Sequence, residues 1–360
     1  MPTLDLVLLI ASISIICASF INLIRLDYWW IRIWDFPHLQ LTVLAALGLL
    51  GWLLLGHPVN GILLIVPVGL LATLTYQFWL VYPFTPLHKK QVLSFSASDK
   101  ETNVSEHVDS VRLLTANVFM ENTRMPEVKA LAEKHKPDLL LVLEANQKWQ
   151  DALVDLEKVY PYRILYPLEN TYGMLFYSRF PIRFHQLRFL IQDDIPSIYA
   201  QLELPSGQLI HFYGVHPMPP SPTEHYRSTE RDAELILVGK EARTKSAPVI
   251  VAGDLNDVAW SHTTRLFQRI SGLLDPRIGR GLYNTFHARY FFLRWPLDHI
   301  FVSHHFQLQT IRRLPNCGSD HFPMLATLSY VGDQTKNGVE IPQPEGNDLE
   351  EATEKISESE

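Results

Sequence analysis

Val249-Ile250-Val251-Ala252-Gly253-Asp254-Leu255-Asn256 is an apolar run that ends in a carboxylate and an amide two residues apart. A short β-branched run bounded by glycine and polar residues reads as a fully buried strand, and the polar pair marks its end. The same device recurs along the chain. Val111 to Asn117 reads as a strand ending in Asn117, Asp138 to Glu144 as one ending in Glu144, and Leu209 to His216 as one ending in His216. Further strands are expected at Gly173 to Tyr177, Ile198 to Leu204, Leu297 to Ser303 and Met324 to Tyr330. Helices are expected over Glu127 to His135 and from about Glu224 to Thr244. Many strands with few helices predict two sheets packed face to face with helices outside.

This domain, residues 108–332, is nearly neutral, with 24 Lys+Arg against 23 Asp+Glu. The chain's net charge of −7 belongs instead to residues 333–360, where nine acids face only Lys336 and Lys355. Such a segment is expected to be an acidic, disordered tail. Net acidity therefore says nothing against an anionic substrate. Eight arginines between Arg265 and Arg313, against Asp275 and Asp298, predict a local positive field. Residues 89–107, rich in serine, read as a polar linker. Two cysteines, Cys17 and Cys317, exclude a disulfide framework and a four-cysteine zinc site.

Residues 1–88 read as a membrane region. Leu6 to Ile24 carries no charged side chain, and none occurs between Asp35 and Lys89 apart from histidine. Three transmembrane helices are expected at about 6–24, 39–56 and 62–83, close to the roughly 20 residues that cross a bilayer core. Trp29, Trp30, Trp34, Trp79 and Tyr82 fit the aromatic belt. No Lys or Arg precedes Leu6, as a signal peptide would require. Arg25, Arg32, Lys89 and Lys90 place the first loop and the downstream domain on the cytoplasmic side. The expectation is a multi-pass protein of a bacterial inner, or plasma, membrane, with no obligate protein partner evident.

The strand-end residues form a coherent chemical set: Asn117, Glu144, His216, Asp254 with Asn256, Asp298 in Pro296-Leu297-Asp298-His299-Ile300, and Asp320-His321 in Gly318-Ser319-Asp320-His321-Phe322-Pro323. Hard oxygen ligands suit Mg²⁺ or Mn²⁺, and histidines beside carboxylates suit proton transfer near neutral pH. Zinc would want closely spaced His or Cys companions, and a serine nucleophile would want an elbow that Gly318-Ser319-Asp320 does not supply.

Leu-Leu-Thr-Ala-Asn117, Leu-Val-Leu-Glu144, Gly-Asp254-Leu-Asn256, Leu-Asp298-His-Ile-Phe and Ser-Asp320-His321-Phe-Pro together resemble the endonuclease/exonuclease/phosphatase superfamily in order and rough spacing, over about 108–330. The resemblance implies a four-layered α/β sandwich and divalent-metal-dependent hydrolysis of a phosphate ester. It implies that Glu144 is the main Mg²⁺ or Mn²⁺ ligand, assisted by Asn117 and Asp320. Asp254 and Asn256 would position the attacking water and bind the phosphate, and His321, oriented by Asp298, would contact the phosphate or move a proton. His216 matches an additional histidine of deoxyribonuclease-like and sphingomyelinase-like members, a candidate acid for the leaving oxygen. Abasic-site endonucleases carry an acid where this chain has Phe119, and Asn122 is the next polar side chain. A nuclease-like phosphodiesterase is expected, with Arg294 and the aromatics between Tyr283 and Trp295 on the substrate. The alternatives are a phospholipid or other phosphate-ester hydrolase, and a non-catalytic membrane-tethered interaction protein.

Overall fold

The computed structural model describes residues 3–55, 64–95 and 108–359. Six strands form one sheet: β1 (Ser110–Asn117), β2 (Leu139–Leu143), β3 (Tyr162–Tyr166), β4 (Met174–Ser178), β10 (Phe306–Arg313) and β11 (Met324–Tyr330), in the order β10-β11-β1-β2-β4-β3. The other sheet runs β5 (Ile182–Arg188), β6 (Ser197–Glu203), β7 (Leu209–Val215), β8 (Val249–Asp254) and β9 (Asp298–Val302) in sequence order. Only β1/β2 and β7/β8 are parallel. The two sheets share one core, in which Leu113, Leu141 and Phe176 of the first meet Phe212, Ile250 and Ile300 of the second. Phe176 stacks on Phe212 with centroids 4.5 Å apart.

Helices cover both outer faces. Val128 and Ala132 of α5 (Met125–His135) and Trp149 of α6 (Gln147–Ala152) pack on Leu114, Leu140 and Val142. Leu235 and Val238 of α7 (Thr229–Thr244) and Phe267 of α8 (His262–Ser271) pack on Tyr213, Val251 and Phe301. These are the two mixed sheets flanked by helices of an α/β sandwich. β3, β5 and β10 were not anticipated, and β5 shows why: four of its seven side chains are exposed, so its sequence lacks apolar alternation. The helix α8 does carry local signals, the Ser261 side chain accepting from the Thr264 N–H at one end and Gly272 in the left-handed conformation at the other.

In the first 88 residues, α1 (Thr3–Phe20), α3 (His38–Leu54) and α4 (Ile65–Val81) pack together through Ala45, Trp52, Val66 and Leu70. Two helical segments, Thr3–Leu23 and Ile65–Phe84, are long and apolar enough to cross a membrane. A third results if Trp29–Asp35, which contains α2 (Trp29–Arg32), and His38–Leu54 count as one span bent by 69°. Pro37 stands at the bend, where it lacks the N–H that would continue the ladder. The expected break at Gly56 to Gly61 lies outside the described residues.

Two expectations about connecting segments need correction. Residues 96–107 of the polar linker lie outside the described residues, but 91–95 are docked rather than free. Leu308 N–H donates to Leu93 O at 2.8 Å, Phe95 N–H to Leu308 O at 2.9 Å, and Val92 is fully buried. The edge of β10 would otherwise present unpaired backbone groups. The acidic tail, expected to be disordered, folds into α9 (Asp348–Ser357). Ala352 and Ile356 sit on Ile236, Leu266 and Ile270, while Asp348 accepts two bonds from Arg269 at 2.6 and 2.9 Å. Composition counted the acids and missed that their counter-charges lie earlier in the chain. Truncation after Gly332 is therefore expected to cost about 2–3 kcal/mol of stability through the apolar surface it uncovers, read as a lower melting temperature of the full-length protein in detergent.

The helical region joins the sandwich directly. Leu80 and Phe84 pack with Trp260, Ile278 and Leu297, and Trp260 Nε1 donates to Asp35 O at 2.7 Å.

Candidate active site

β1 and β2 in one sheet, and β7 and β8 in the other, end side by side, so the polar residues that close these four apolar strands converge. Asn117 closes β1 and Glu144 follows β2; His216 follows β7 and Asp254 closes β8. Antiparallel pairing sets Asp298, the first residue of β9, opposite Asp254. Asn117 Nδ2 donates to Glu144 Oε1 at 2.7 Å and to Asp254 Oδ2 at 3.0 Å, bridging the sheets. His321 Nε2 lies 3.4 Å from Asp254 Oδ2, and its Nδ1 lies 2.8 Å from Asp298 Oδ2.

Burial pushes the Glu144 carboxyl up to about 7, against the Asn117 hydrogen bond and the His321 charge that favour ionisation. Burial opposes the charge on His321 too, but the carboxylates of Asp298 and Asp254 outweigh it and lift the imidazole to about 10. His321 is thus the cation of a buried ion-paired triad. Burial lowers His216 to about 4, which leaves it neutral, with Nδ1 buried and unpartnered.

Backbone conformation aims these groups. Glu144 (φ 57°) and Asn256 (φ 50°) adopt the left-handed region, which costs a non-glycine residue on the order of 1 kcal/mol or more. The Asn256 N–H donates to Asp254 Oδ1 at 2.9 Å, its Nδ2 to Pro217 O at 2.9 Å, and its carbonyl accepts from Arg231 Nη1 at 2.8 Å. Asn256 therefore ties the loop after His216 to the loop after Asp254. At Gly253 (φ 152°) an added Cβ would meet Val215 O at 1.8 Å. Gly253→Ala is expected to cost about 1–3 kcal/mol as an overpacking change and to lower activity by shifting Asp254, measurable as a fall in melting temperature with reduced turnover.

Not every expected residue joins the cluster. Asp320 takes a 3.3 Å bond from Ser319 Oγ and acts on Glu144 through its charge rather than by contact. Arg294 donates to Ala288 O at 3.3 Å and lies over the Phe322 ring, facing a groove beside α3. Asn122 spends its side chain on Val118 O, Cys317 O and the Arg124 N–H, so it is a loop brace. The expected arginine field is dispersed: Arg269 pairs with Asp348, Arg277 with Asp275, Arg280 bonds Val92 O, and Arg265 lies over Trp79. Sequence reading passed over Arg231 and over His299, which is held between Arg277 Nη2 at 2.6 Å and Asp257 O at 2.9 Å. His299 stands beside Asp298 and could have been flagged by that motif, whereas nothing adjacent to Arg231 marks it.

The carboxylate oxygens of Glu144 and Asp254, bridged by the Asn117 amide nitrogen and with Asp320 nearby, are hard donors of the kind Mg²⁺ or Mn²⁺ takes. Asp254, Asp298 and His321 also bring one ligand atom each within 4.8 Å of one another. Both nitrogens of His321 are, however, engaged by carboxylates, which favours the ion-paired reading of that trio.

The model of the Endonuclease/Exonuclease/phosphatase family matches residues 114–321, from within β1 to His321. Danio rerio TDP2 complexed with single strand DNA product superposes with a TM-score of 0.51 at 16% identity, covering 61% of this chain and 98% of that one. A humanized D. rerio TDP2 with 14 mutations gives 0.50 at 16% identity, over 61% and 98% of the two chains. An endonuclease/exonuclease/phosphatase from Beutenbergia cavernae gives 0.50 at 15% identity, over 62% and 72%. These likenesses are ones of fold, and no curated protein matches the chain. With over half its length matched by the family model, and with strand-end carboxylates, amides and histidines brought together at the ends of the two sheets, the chain belongs to the endonuclease/exonuclease/phosphatase family.

Proposed function

We propose that this protein is a membrane-anchored, Mg²⁺- or Mn²⁺-dependent phosphodiesterase that hydrolyses its substrate by in-line attack of water. One observation carries the reading: a continuous chain of polar contacts, Glu144 to Asn117 to Asp254 to His321 to Asp298, spans the ends of both sheets. Glu144, Asn117 and Asp320 would hold the cation, which when bound polarises a phosphoryl oxygen and neutralises charge developing in the transition state. Asp254, fixed by the Asn256 N–H and the Asn117 amide, orients the attacking water and accepts its proton. His321, held by Asp298 through Nδ1 and charged, turns its Nε2–H, 3.4 Å from Asp254 at rest, to a phosphoryl oxygen as a preorganised cation. His216, neutral at rest, offers a hydrogen bond to the phosphate or leaving oxygen, and Asn256 braces the two loops.

Nuclease-like action on single strands is the reading supported by the DNA product in the D. rerio TDP2 structure. Arg289, over the Phe119 ring and without a carboxylate partner among the described residues, is placed to meet a phosphate. Hydrolysis of a membrane-borne phosphodiester is a second reading, favoured by the helical region lying against the loop that pairs with His321. The membrane reading itself is supported by Leu53, Leu54, Ile65, Phe78 and Trp79, which point outward from the helices. We place three spans in the plasma membrane with the sandwich on the cytoplasmic side.

The test is product release by the full-length protein in nanodiscs with Mg²⁺, offered single- and double-stranded DNA, RNA and phospholipid vesicles. Cleavage of a nucleic acid that falls steeply with salt would establish the first reading, because bound phosphates release counterions. Cleavage confined to vesicles would establish the second.

A further inference from the structure

We propose that the groove between the first turns of α3 and the loop 284–295 binds an anionic phospholipid, with its phosphate between Arg294 and Arg313 and an acyl chain along Leu39, Val43 and Leu44. The groove encloses about 650 Å³ and is lined by these residues together with Gln40, Asn284, Phe291 and Phe292. The proposal rests on the reading that α3 enters the membrane.

Its two ends differ in chemistry. At one end, Arg294 and Arg313 both lie over the ring of Phe322, with guanidinium carbons 5.0 and 4.3 Å from its centroid. Each donates only to a backbone carbonyl, Ala288 O and Asn284 O respectively, and among the described residues neither meets a carboxylate. Two cations sharing one ring repel each other, and a guanidinium has five donors to satisfy. Arg294 Nε is buried here with no hydrogen-bond partner. Buried polar groups are seldom left unpaired, since each costs its full desolvation. A phosphate diester supplies an anion for both guanidiniums and an acceptor for Nε.

At the other end the wall is apolar and open. Val43 and Leu44 point outward from α3, and Phe291 is 79% exposed on the opposite side. A soluble anion would leave this wall in water, whereas an acyl chain would cover it. The depth agrees as well, because the first turns of α3 are those nearest the sandwich, where headgroups lie and aromatic side chains collect. The site is coupled to the catalytic strand end. Gln40 Nε2 donates to Phe292 O at 2.7 Å, and the Ala288 N–H donates to Asp320 O at 2.6 Å. A lipid held here fixes the loop whose Phe286 packs on His321, with centroids 4.9 Å apart.

The experiment uses the full chain, purified from nanodiscs made of equal parts phosphatidylcholine and phosphatidylglycerol, with retained lipid counted by native mass spectrometry. Wild type should retain phosphatidylglycerol over phosphatidylcholine by roughly tenfold or more, as loss of charge-assisted bonds implies. The double variant Arg294→Gln/Arg313→Gln should retain both lipids equally. Phe291→Ser, at a side chain too exposed to support the fold, should lower retention several-fold at unchanged melting temperature. Equal retention by wild type, an undiminished preference in a folded double variant, or undiminished lipid retention by Phe291→Ser overturns the proposal. Displacement of phosphatidylglycerol by millimolar inorganic phosphate overturns the lipid assignment in favour of a free-anion site. Alkaline carbonate extraction separates the two readings: release of the chain sinks the membrane reading with the proposal, while a chain that stays in the membrane without lipid preference sinks the proposal alone.

Discussion

Glu144→Ala is expected to lower turnover by on the order of 10³-fold, since a catalytic cation contributes several kcal/mol of transition-state stabilisation and each 1.4 kcal/mol is tenfold. The fold should survive. Burial pushes this carboxyl up to about 7, so removing it relieves a desolvation cost, and Asn117 keeps its bond to Asp254. Mg²⁺ should raise the melting temperature of the wild type and leave that of Glu144→Ala unchanged. Turnover within a few-fold of wild type in the folded variant would remove Glu144 from the chemistry. His321→Gln is the companion change. It deletes the cation between Asp254 and Asp298 while retaining a donor, and a loss of about 10²-fold or more is expected where a fixed donor has been stabilising the transition state. A loss much smaller than that would transfer the role elsewhere.

The largest expected stability effect lies away from the site. Asp232, fully buried on α7, receives Lys355 Nζ at 2.8 Å, Arg231 Nη2 at 2.8 Å and Thr263 Oγ1 at 3.0 Å, with Arg32 Nη2 at 3.7 Å. Burial disfavours its charge, but Lys355 and Arg231 outweigh burial and hold the carboxyl well below the usual carboxylate range. One carboxylate thus joins the segment before α3, the α7 helix and the C-terminal helix. Asp232→Ala would leave Arg231 to Asp257 at 3.6 Å and Arg32 and Lys355 to share Asp27 at 3.3 and 3.4 Å, so the expected loss is about 3 kcal/mol, the low end for breaking a buried pair from one side. Chemical denaturation should show that loss, and limited proteolysis should cut the tail ahead of the sandwich. Turnover should fall too, because Arg231 holds the Asn256 carbonyl. A change under about 1 kcal/mol would mean that the network is solvated and contributes as little as surface pairs do.

The polar strand ends were legible because a buried strand is a local pattern. Leu139 to Leu143 and Val249 to Gly253 are apolar throughout, so the polar residues closing them stand out. The edge strands were not, because β5 is mostly exposed and the second half of β10 spends polar side chains on solvent. The connecting segments misled for a related reason. The serine count of 89–107 overlooked that 91–95, Gln-Val-Leu-Ser-Phe, is mostly apolar, and whether that segment or the acidic C-terminal helix is free depends on an edge or a cation elsewhere that it can meet.

Sequence alone determined the order of the strands' polar ends, the apolar character of the N-terminal helices and the hard-ligand chemistry of the set, all properties of neighbouring residues. Tertiary structure decided what those residues touch. It placed Asn117 between Glu144 and Asp254, gave half of the arginine cluster to structural partners, and set Arg294 beside α3 instead of beside His321. The reason is physical. Periodicity of burial is written over a few residues, whereas an ion pair such as Asp232 with Lys355 joins positions far apart in the chain, and only the packing of sheets and helices brings them within reach.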